Sequence, residues 1–298
     1  MKNRNIIYTS LTLVIMALTS CGTDTESLTT MPNTTKMPIH FVMTYPGEKT
    51  RATDVGFEKS DQTGVYVCLS DTTLQIGGNV LNNERLTFDG THWSASRILY
   101  WNDDTYNIYA YYPYIKSINS IEDQPFSISL NQSTERKSST LGGYEASDLL
   151  YACSKNIAGT ESPVQLKFKH IMSKLTIRLI KGEDFEGEMP TNATVYVHNT
   201  VPEATIDFNV GVATRYIKGS RQTIIAHHDQ DYIYSAIIVP QRIQNRMPLI
   251  EVVMNGMSYL FESTFQFKPG IEHLVNLIIP NNPDNIKIEI SSDIKQWN

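Results

Sequence analysis

The 298-residue chain is long enough for one large or two ordinary domains and for a sizeable buried core. Its formal net charge of −6 supplies no basic field for nucleic acid or an anionic lipid surface, which argues against a nucleic-acid partner. Sixteen tyrosines and ten phenylalanines, with many Ile, Val and Thr, favour pleated sheet over helix.

The chain opens on a targeting pattern. Lys2 and Arg4 form a basic head, residues 6–18 an apolar stretch too short to span a bilayer as a mature helix, and Leu18-Thr19-Ser20-Cys21 follows. This arrangement resembles a bacterial lipobox, which predicts removal of residues 1–20 as a signal peptide and lipid on the Cys21 sulfur. The acyl chains would hold the protein to an envelope membrane through buried methylenes rather than protein surface. Asp24 and Glu26 resemble acidic tags that send some lipoproteins to the outer face of the outer membrane. Residues 21–36, rich in Thr, Ser and Asn, read as a flexible tether.

Strand signals then follow one another. Ile39, Phe41, Met43 and Tyr45 alternate with polar or outward residues, Pro46-Gly47 turns the chain, and Arg51-Ala52 lies in the polar stretch beyond. A lone strand ahead of a loop arginine is detachable by one cut, although loop arginines are ordinary. Residues 64–69 form a second strand, and Asp89-Gly90 between 86–88 and 92–93 has the composition of a type I′ hairpin. Residues 98–101 and 106–112 read as an antiparallel pair around an Asn102-Asp103-Asp104 corner, closed by Pro113. Residues 117–147, mostly Ser, Asn, Thr and charged, read as a long surface loop with one short strand at 126–130.

In the stretch 164–180, VQLKFKHIMSKLTIRLI, the apolar parity flips partway. Val164, Leu166, Phe168 and Met172 hold one count; Leu175, Ile177 and Leu179 hold the other. One straight strand would turn half of these to solvent, so a break is expected near 172–174. Further strands are expected at 194–198, 204–210, 232–239 and 249–254. Asn255-Gly256 joins the last of these to 257–267 in the strongest hairpin signal of the chain. Val275, Leu277 and Ile279 alternate, as do Ile286, Ile288 and Ile290 in a terminal strand. Many short strands with turns and no intervening helices predict an all-β fold, two tandem sandwiches over residues 37–170 and 171–298.

Catalytic motifs are missing from the sequence: no Gly-rich phosphate loop, GxSxG elbow, HExxH or CxxC occurs. His227-His228-Asp229 with Asp231 is the densest ligand-type cluster, and polar crowding at a strand end accounts for it. His170 sits on the apolar parity of its strand, as a hydrogen-bonded core histidine does. Tyr106, Tyr109, Tyr111, Tyr112 and Tyr114 offer either a stacking stripe for sugars or one packed face. An oxidising envelope permits a Cys68–Cys153 disulfide; two buried free thiols fit equally well. No metal, cofactor or enzymatic activity is expected.

Several pieces together resemble the fimbrillin-like (Mfa-like) lipoproteins. They are the lipobox at Cys21, Thr50-Arg51-Ala52-Thr53, Asp61-Gln62-Thr63-Gly64-Val65-Tyr66, Asp89-Gly90-Thr91-His92-Trp93, Tyr100-Trp101, Tyr109-Ala110-Tyr111-Tyr112-Pro113-Tyr114, Ser147-Asp148-Leu149-Leu150-Tyr151-Ala152, Phe168-Lys169-His170 and Ile294-Lys295-Gln296-Trp297. The resemblance implies transthyretin-like sandwiches and a place in type V surface fimbriae, with other fimbrial subunits as partners. It further implies that an Arg-specific protease removes the first strand with its lipid, Arg51-Ala52 marking the cut. A neighbour then supplies the missing strand, for which Ile286, Ile288 and Ile290 are the candidate donor. An alternative reading is a surface lipoprotein that binds glycan or host protein through the tyrosine-rich strand or the 117–147 loop.

Overall fold

Two strands of the first half, QTGVYVCL and TYNIYAYY, lack the apolar-polar alternation of a sheet with one wet face. The structure, a computed structural model describing residues 37–47, 56–138, 140–290 and 295–297, supplies the reason. The strands in chain order begin β1 (Phe41–Thr44), β2 (Gln62–Leu69), β3 (Leu81–Phe88), β4 (Trp93–Ser94), β5 (Thr105–Tyr112) and β6 (Gln124–Ser127). After a short helix α1 (Gly143–Ser147) come β7 (Leu150–Ala158), β8 (Val164–Lys167), β9 (Lys169–His170), β10 (Ser173–Lys181), β11 (Thr194–Thr200), β12 (Glu203–Asp207) and β13 (Val212–Arg215). The series ends with β14 (Gln222–Ile225), β15 (His227–Gln230), β16 (Ile233–Ile238), β17 (Gln241–Met254), β18 (Met257–Phe267), β19 (Ile271–Ile279), β20 (Lys287–Ile290) and β21 (Lys295–Gln296).

In the sheet β4-β3-β2-β5-β7-β9 the central strands β2 and β5 are covered on both faces. Val65, Val67, Ile108, Ala110, Tyr112, Leu150 and Ala152 face one hydrophobic cluster, with Phe41, Val164, Leu166 and Phe168. The opposite parity, Tyr66, Cys68, Tyr109, Tyr111 and Tyr151, belongs to a second cluster that continues through the later strands. Each large apolar side chain fully buried this way contributes about 1.5–3 kcal/mol. Gly64 is required at the crossing, since a Cβ there would run into the Tyr111 ring. Tyr111 donates to the Asn83 side-chain oxygen at 2.6 Å and is buried.

The later strands alternate in the ordinary manner. The path β15-β16-β10-β19-β20 faces the sheet β14-β11-β17-β18 across the second cluster, through Ile177, Leu277, Val197, Val252 and Tyr259 among others. The expected parity break is real: β8, β9 and β10 are separate strands with different partners, β1, β7, and β16 with β19. At Asn255-Gly256 both residues have positive φ, 48° and 77°, as a type I′ turn demands.

Three local expectations are corrected. The Asp89-Gly90 hairpin pairs Phe88 with Trp93, leaving a four-residue loop, and only Gly90 is left-handed (φ 106°). Asp89 stabilises it instead by accepting from the Thr91 and His92 amides, each at 2.7 Å. Residues 98–101 form a single bridge, Pro38 with Tyr100, rather than a strand, because they bond irregularly to the segment preceding β1.

Residues 117–147 are not a free surface loop. β6 pairs antiparallel with β12, and the buried Gln132 side chain bonds the backbone of Ile237 on both sides, Nε2 to O at 2.8 Å and N to Oε1 at 2.7 Å. The amide acts as a substitute peptide group beyond the start of β15, whose first residue, His227, pairs with Ser235. Arg136 pairs with the buried Asp61 at 2.5 Å, tying the same segment to the start of β2. A polar sequence here serves buried polar sites, which composition does not distinguish from solvent exposure.

Candidate functional site

At the amino-terminal end of the described chain, β1 lies parallel to β8 in a two-stranded sheet of their own, in register from Phe41 with Val164 to Thr44 with Lys167. The Val164 amide donates to the His40 carbonyl at 2.8 Å and the Phe168 amide to the Thr44 carbonyl at 3.0 Å. Upstream, the Ile39 amide donates to the Leu99 carbonyl and the Trp101 amide to the Met37 carbonyl, both at 2.8 Å. Alternation along the strand sends Ile39 and Phe41 into the core while Val42 stays exposed. Among the described residues β8 has no other sheet partner, so its backbone ladder depends on β1.

Tyr45 lies near the end of this segment and Phe57 near the start of the next described one, their rings meeting edge to face at 5.2 Å. Phe57 also contacts Trp93, Tyr112 and Phe168. Arg51 and Ala52 fall between these anchors and lie outside the described residues, as does Cys21.

The carboxyl-terminal end runs along the edge of β19. β20 pairs antiparallel with it from Lys287 opposite Ile278 to Ile290 opposite Val275, and β21 pairs Gln296 with Ile271. Ile286, just before β20, and Ile288 are half-buried against the second cluster. Trp297 is only 4% exposed, and its amide donates to the Gly270 carbonyl at 2.9 Å. Its indole lies flat on the His170 imidazole, with ring centres 3.5 Å apart and planes 6° from parallel.

His170 is held by Asp148, Nδ1 to Oδ1 at 2.8 Å, both residues buried. The other Asp148 oxygen accepts from the Tyr45 hydroxyl at 3.3 Å, and the Tyr45 ring meets His170 edge to face at 5.9 Å. The expectation of a hydrogen-bonded core histidine thus holds. The convergence itself was not foreseen, although Asp148, His170 and Trp297 each lie in sequence pieces that carried the family resemblance. No periodic pattern marks a contact between residues so distant in the chain.

Other candidates have structural partners. His228 Nε2 lies 2.9 Å from the Asp231 carbonyl, Asp229 accepts from the Ser235 hydroxyl at 2.5 Å, and the His227 ring rests against Tyr144. Among the described residues no group of three or more metal-ligating side chains converges. Tyr106, Tyr109, Tyr111 and Tyr112 are buried, so β5 presents no stacking face to a glycan; Tyr114, beyond the strand, is half-buried with the Arg85 guanidinium 5.9 Å over its ring. Burial pushes the Tyr66 and Tyr109 hydroxyls up to about 12. Cys68 and Cys153 are free, and burial raises both thiols.

Comparison with known proteins agrees with this architecture. A curated Bacteroides ovatus protein named as a candidate fimbrium tip subunit, Fim1C, is 29% identical over 186 residues, 56% of this chain. The chain spans about a third of that relative's length, 33%. Crystal structures of candidate cell adhesion proteins from Bacteroides ovatus and Bacteroides uniformis share the fold, each with a TM-score of 0.67 at 18% identity. They cover 88% and 90% of this chain and 98% and 100% of their own. The profile of the fimbrillin-like family matches residues 50–297, and the chain belongs to that family.

Proposed function

We propose that this protein is a structural or accessory subunit of cell-surface fimbriae that assembles by exchanging strands and supports adhesion. In this reading it is exported with lipid on Cys21 and held at the outer membrane. Cleavage after Arg51 then withdraws β1. The same reading divides the chain into two tandem sandwiches, residues 37–170 and 171–298: the first cluster draws only on the earlier residues, while the second is shared by both, and β6 of the first pairs with β12 of the second.

The isolation of the β1–β8 pair carries the reading. Withdrawing β1 strips β8 of its ladder and uncovers the apolar walls that now hold Ile39 and Phe41. Each of those side chains accounts for about 1.5–3 kcal/mol of burial, and unpaired backbone groups in the groove add to the drive to recapture a strand. A neighbour's extended segment restores both. Because donor and acceptor surfaces differ, the exchange runs head to tail and grows filaments rather than closed rings.

Incubation with an Arg-specific protease is expected to yield a chain beginning at Ala52 and a ladder of oligomers on a gel. A protein that remains intact and monomeric sinks the strand-exchange reading. Determining the amino terminus on intact cells separates acylated Cys21, an uncut lipid-held subunit, from free Ala52, an assembled one.

A further inference from the structure

The segment carrying β1 and the carboxyl-terminal tail meet at one buried junction. Trp297 of the carboxyl-terminal tail stacks on His170; His170 is oriented by Asp148; Asp148 also accepts from Tyr45, which directly follows β1. Two observations make this junction sensitive to Tyr45. The buried His170 Nε2 and the buried Trp297 Nε1 have no hydrogen-bond partner among the described residues, so the imidazole's polar restraint comes from Asp148 and the indole's grip from the stack. The Phe168 amide, two residues before His170, is bonded to the Thr44 carbonyl, so the backbone carrying the imidazole is also pinned by β1.

The seat is tight on its far side as well. Gly270 is left-handed (φ 63°), a Cβ on it would stand 3.1 Å from the His170 carbonyl, and its own carbonyl receives the Trp297 amide. Lys174 Nζ lies 5.8 Å over the Trp297 ring and 3.6 Å from Glu272, closing the box with charge.

We propose that the first strand controls whether the carboxyl-terminal tail stays on its own subunit: Tyr45, through Asp148 and His170, keeps Trp297 seated. Loss of that contact loosens the tail's tip for capture by another subunit. The proposal rests on the strand-exchange reading above for its biological use but not for its test. Tyr45, Asp148 and His170 are positioning residues, and the two-state element is the tail, docked or undocked along β19.

The test follows amide hydrogen exchange, resolved by peptide, in the full uncut chain. Tyr45→Phe keeps the ring and removes the hydroxyl; Tyr45→Ala removes both; Leu81→Ala, in the first cluster and outside the junction, serves as a destabilised reference. The expected result is exchange at least about fivefold faster in β20, β21 and Trp297 for both Tyr45 variants, larger for alanine, with the β17–β18 hairpin unchanged. Tail exchange that stays at the wild-type rate, or rises no more than in Leu81→Ala, overturns the proposal. Adding Asp148→Asn to Tyr45→Phe is expected to add little, since both break one relay, and full additivity overturns it. Should the double variant not fold, the two Tyr45 variants decide alone. Failure of the Arg-specific protease to cut at Arg51 would remove the strand-exchange reading and leave this result standing.

Discussion

Strands β2 and β5 and strands β17 and β18 are all long and hydrogen-bonded on the same scale, yet they use their two faces differently. β5 is buried at every position after Thr105, its odd and even residues serving two clusters. β18 buries Tyr259 and Phe267 on one parity and leaves Ser258, Leu260, Glu262, Thr264 and Gln266 exposed on the other. The lesson is that a strand without alternation need not be irregular or central in a parallel sheet. An antiparallel strand placed between two cores, as β2 and β5 are, has the same residue pattern.

The largest effect should appear on β5. Tyr111→Ala is expected to cost about 3–5 kcal/mol and Ile108→Ala about 2–5 kcal/mol, although the two side chains point in opposite directions. Leu260→Ala, on the wet face of β18, should stay within about 0.5 kcal/mol. Denaturant midpoints at constant slope measure all three. A mild Ile108 or Tyr111 variant would mean that one face of the first sheet is open and would erase the contrast.

The next effect concerns the polar buttress. Gln132→Ala leaves the Ile237 amide and carbonyl without their side-chain partners and is expected to cost about 1–3 kcal/mol, read from the same unfolding curves. A neutral result would return residues 117–147 to the status of a dispensable surface loop.

The smallest effect is a pH dependence from the second region. Burial, and then the charge of Lys268, hold the His273 imidazole below its ordinary 6.5. Unfolded, the same group takes a proton from pH 6.5 downward, so the unfolded state binds more protons there and stability falls as pH drops from 6.5 toward the lowered native value. The unfolding midpoint measured between pH 7.5 and 5 should show this decline, and His273→Gln should make it shallower. An unchanged slope in that variant would show that the imidazole is not withheld from water.

Much of the second region was legible in residue order. Period-two alternation at Leu175, Ile177 and Leu179, and at Val275, Leu277 and Ile279, marks strands with one buried face, and Asn255-Gly256 selects its turn through local φ preference alone. The first region was legible as strand and not as a sheet buried twice, because two sets of apolar partners cancel the periodic signal. Asp89-Gly90 misled for a local reason: the Asp89 carboxylate captures two amides and lengthens the loop to four residues.

Taken alone, the sequence determined an all-β chain, its strand breaks, its strongest hairpin and the family whose motifs it carries, because these depend on neighbours within a few residues. Tertiary structure alone decided that residues 124–147 brace the later strands and that the β1–β8 pair stands by itself. It also brought Tyr45, just past β1, to the same buried junction as Trp297 of the carboxyl-terminal tail. The Tyr45–Asp148 contact joins residues 103 positions apart, and Gln132 reaches Ile237 across 105. Contacts at such separation are set by how whole sheets pack, and no local propensity encodes them.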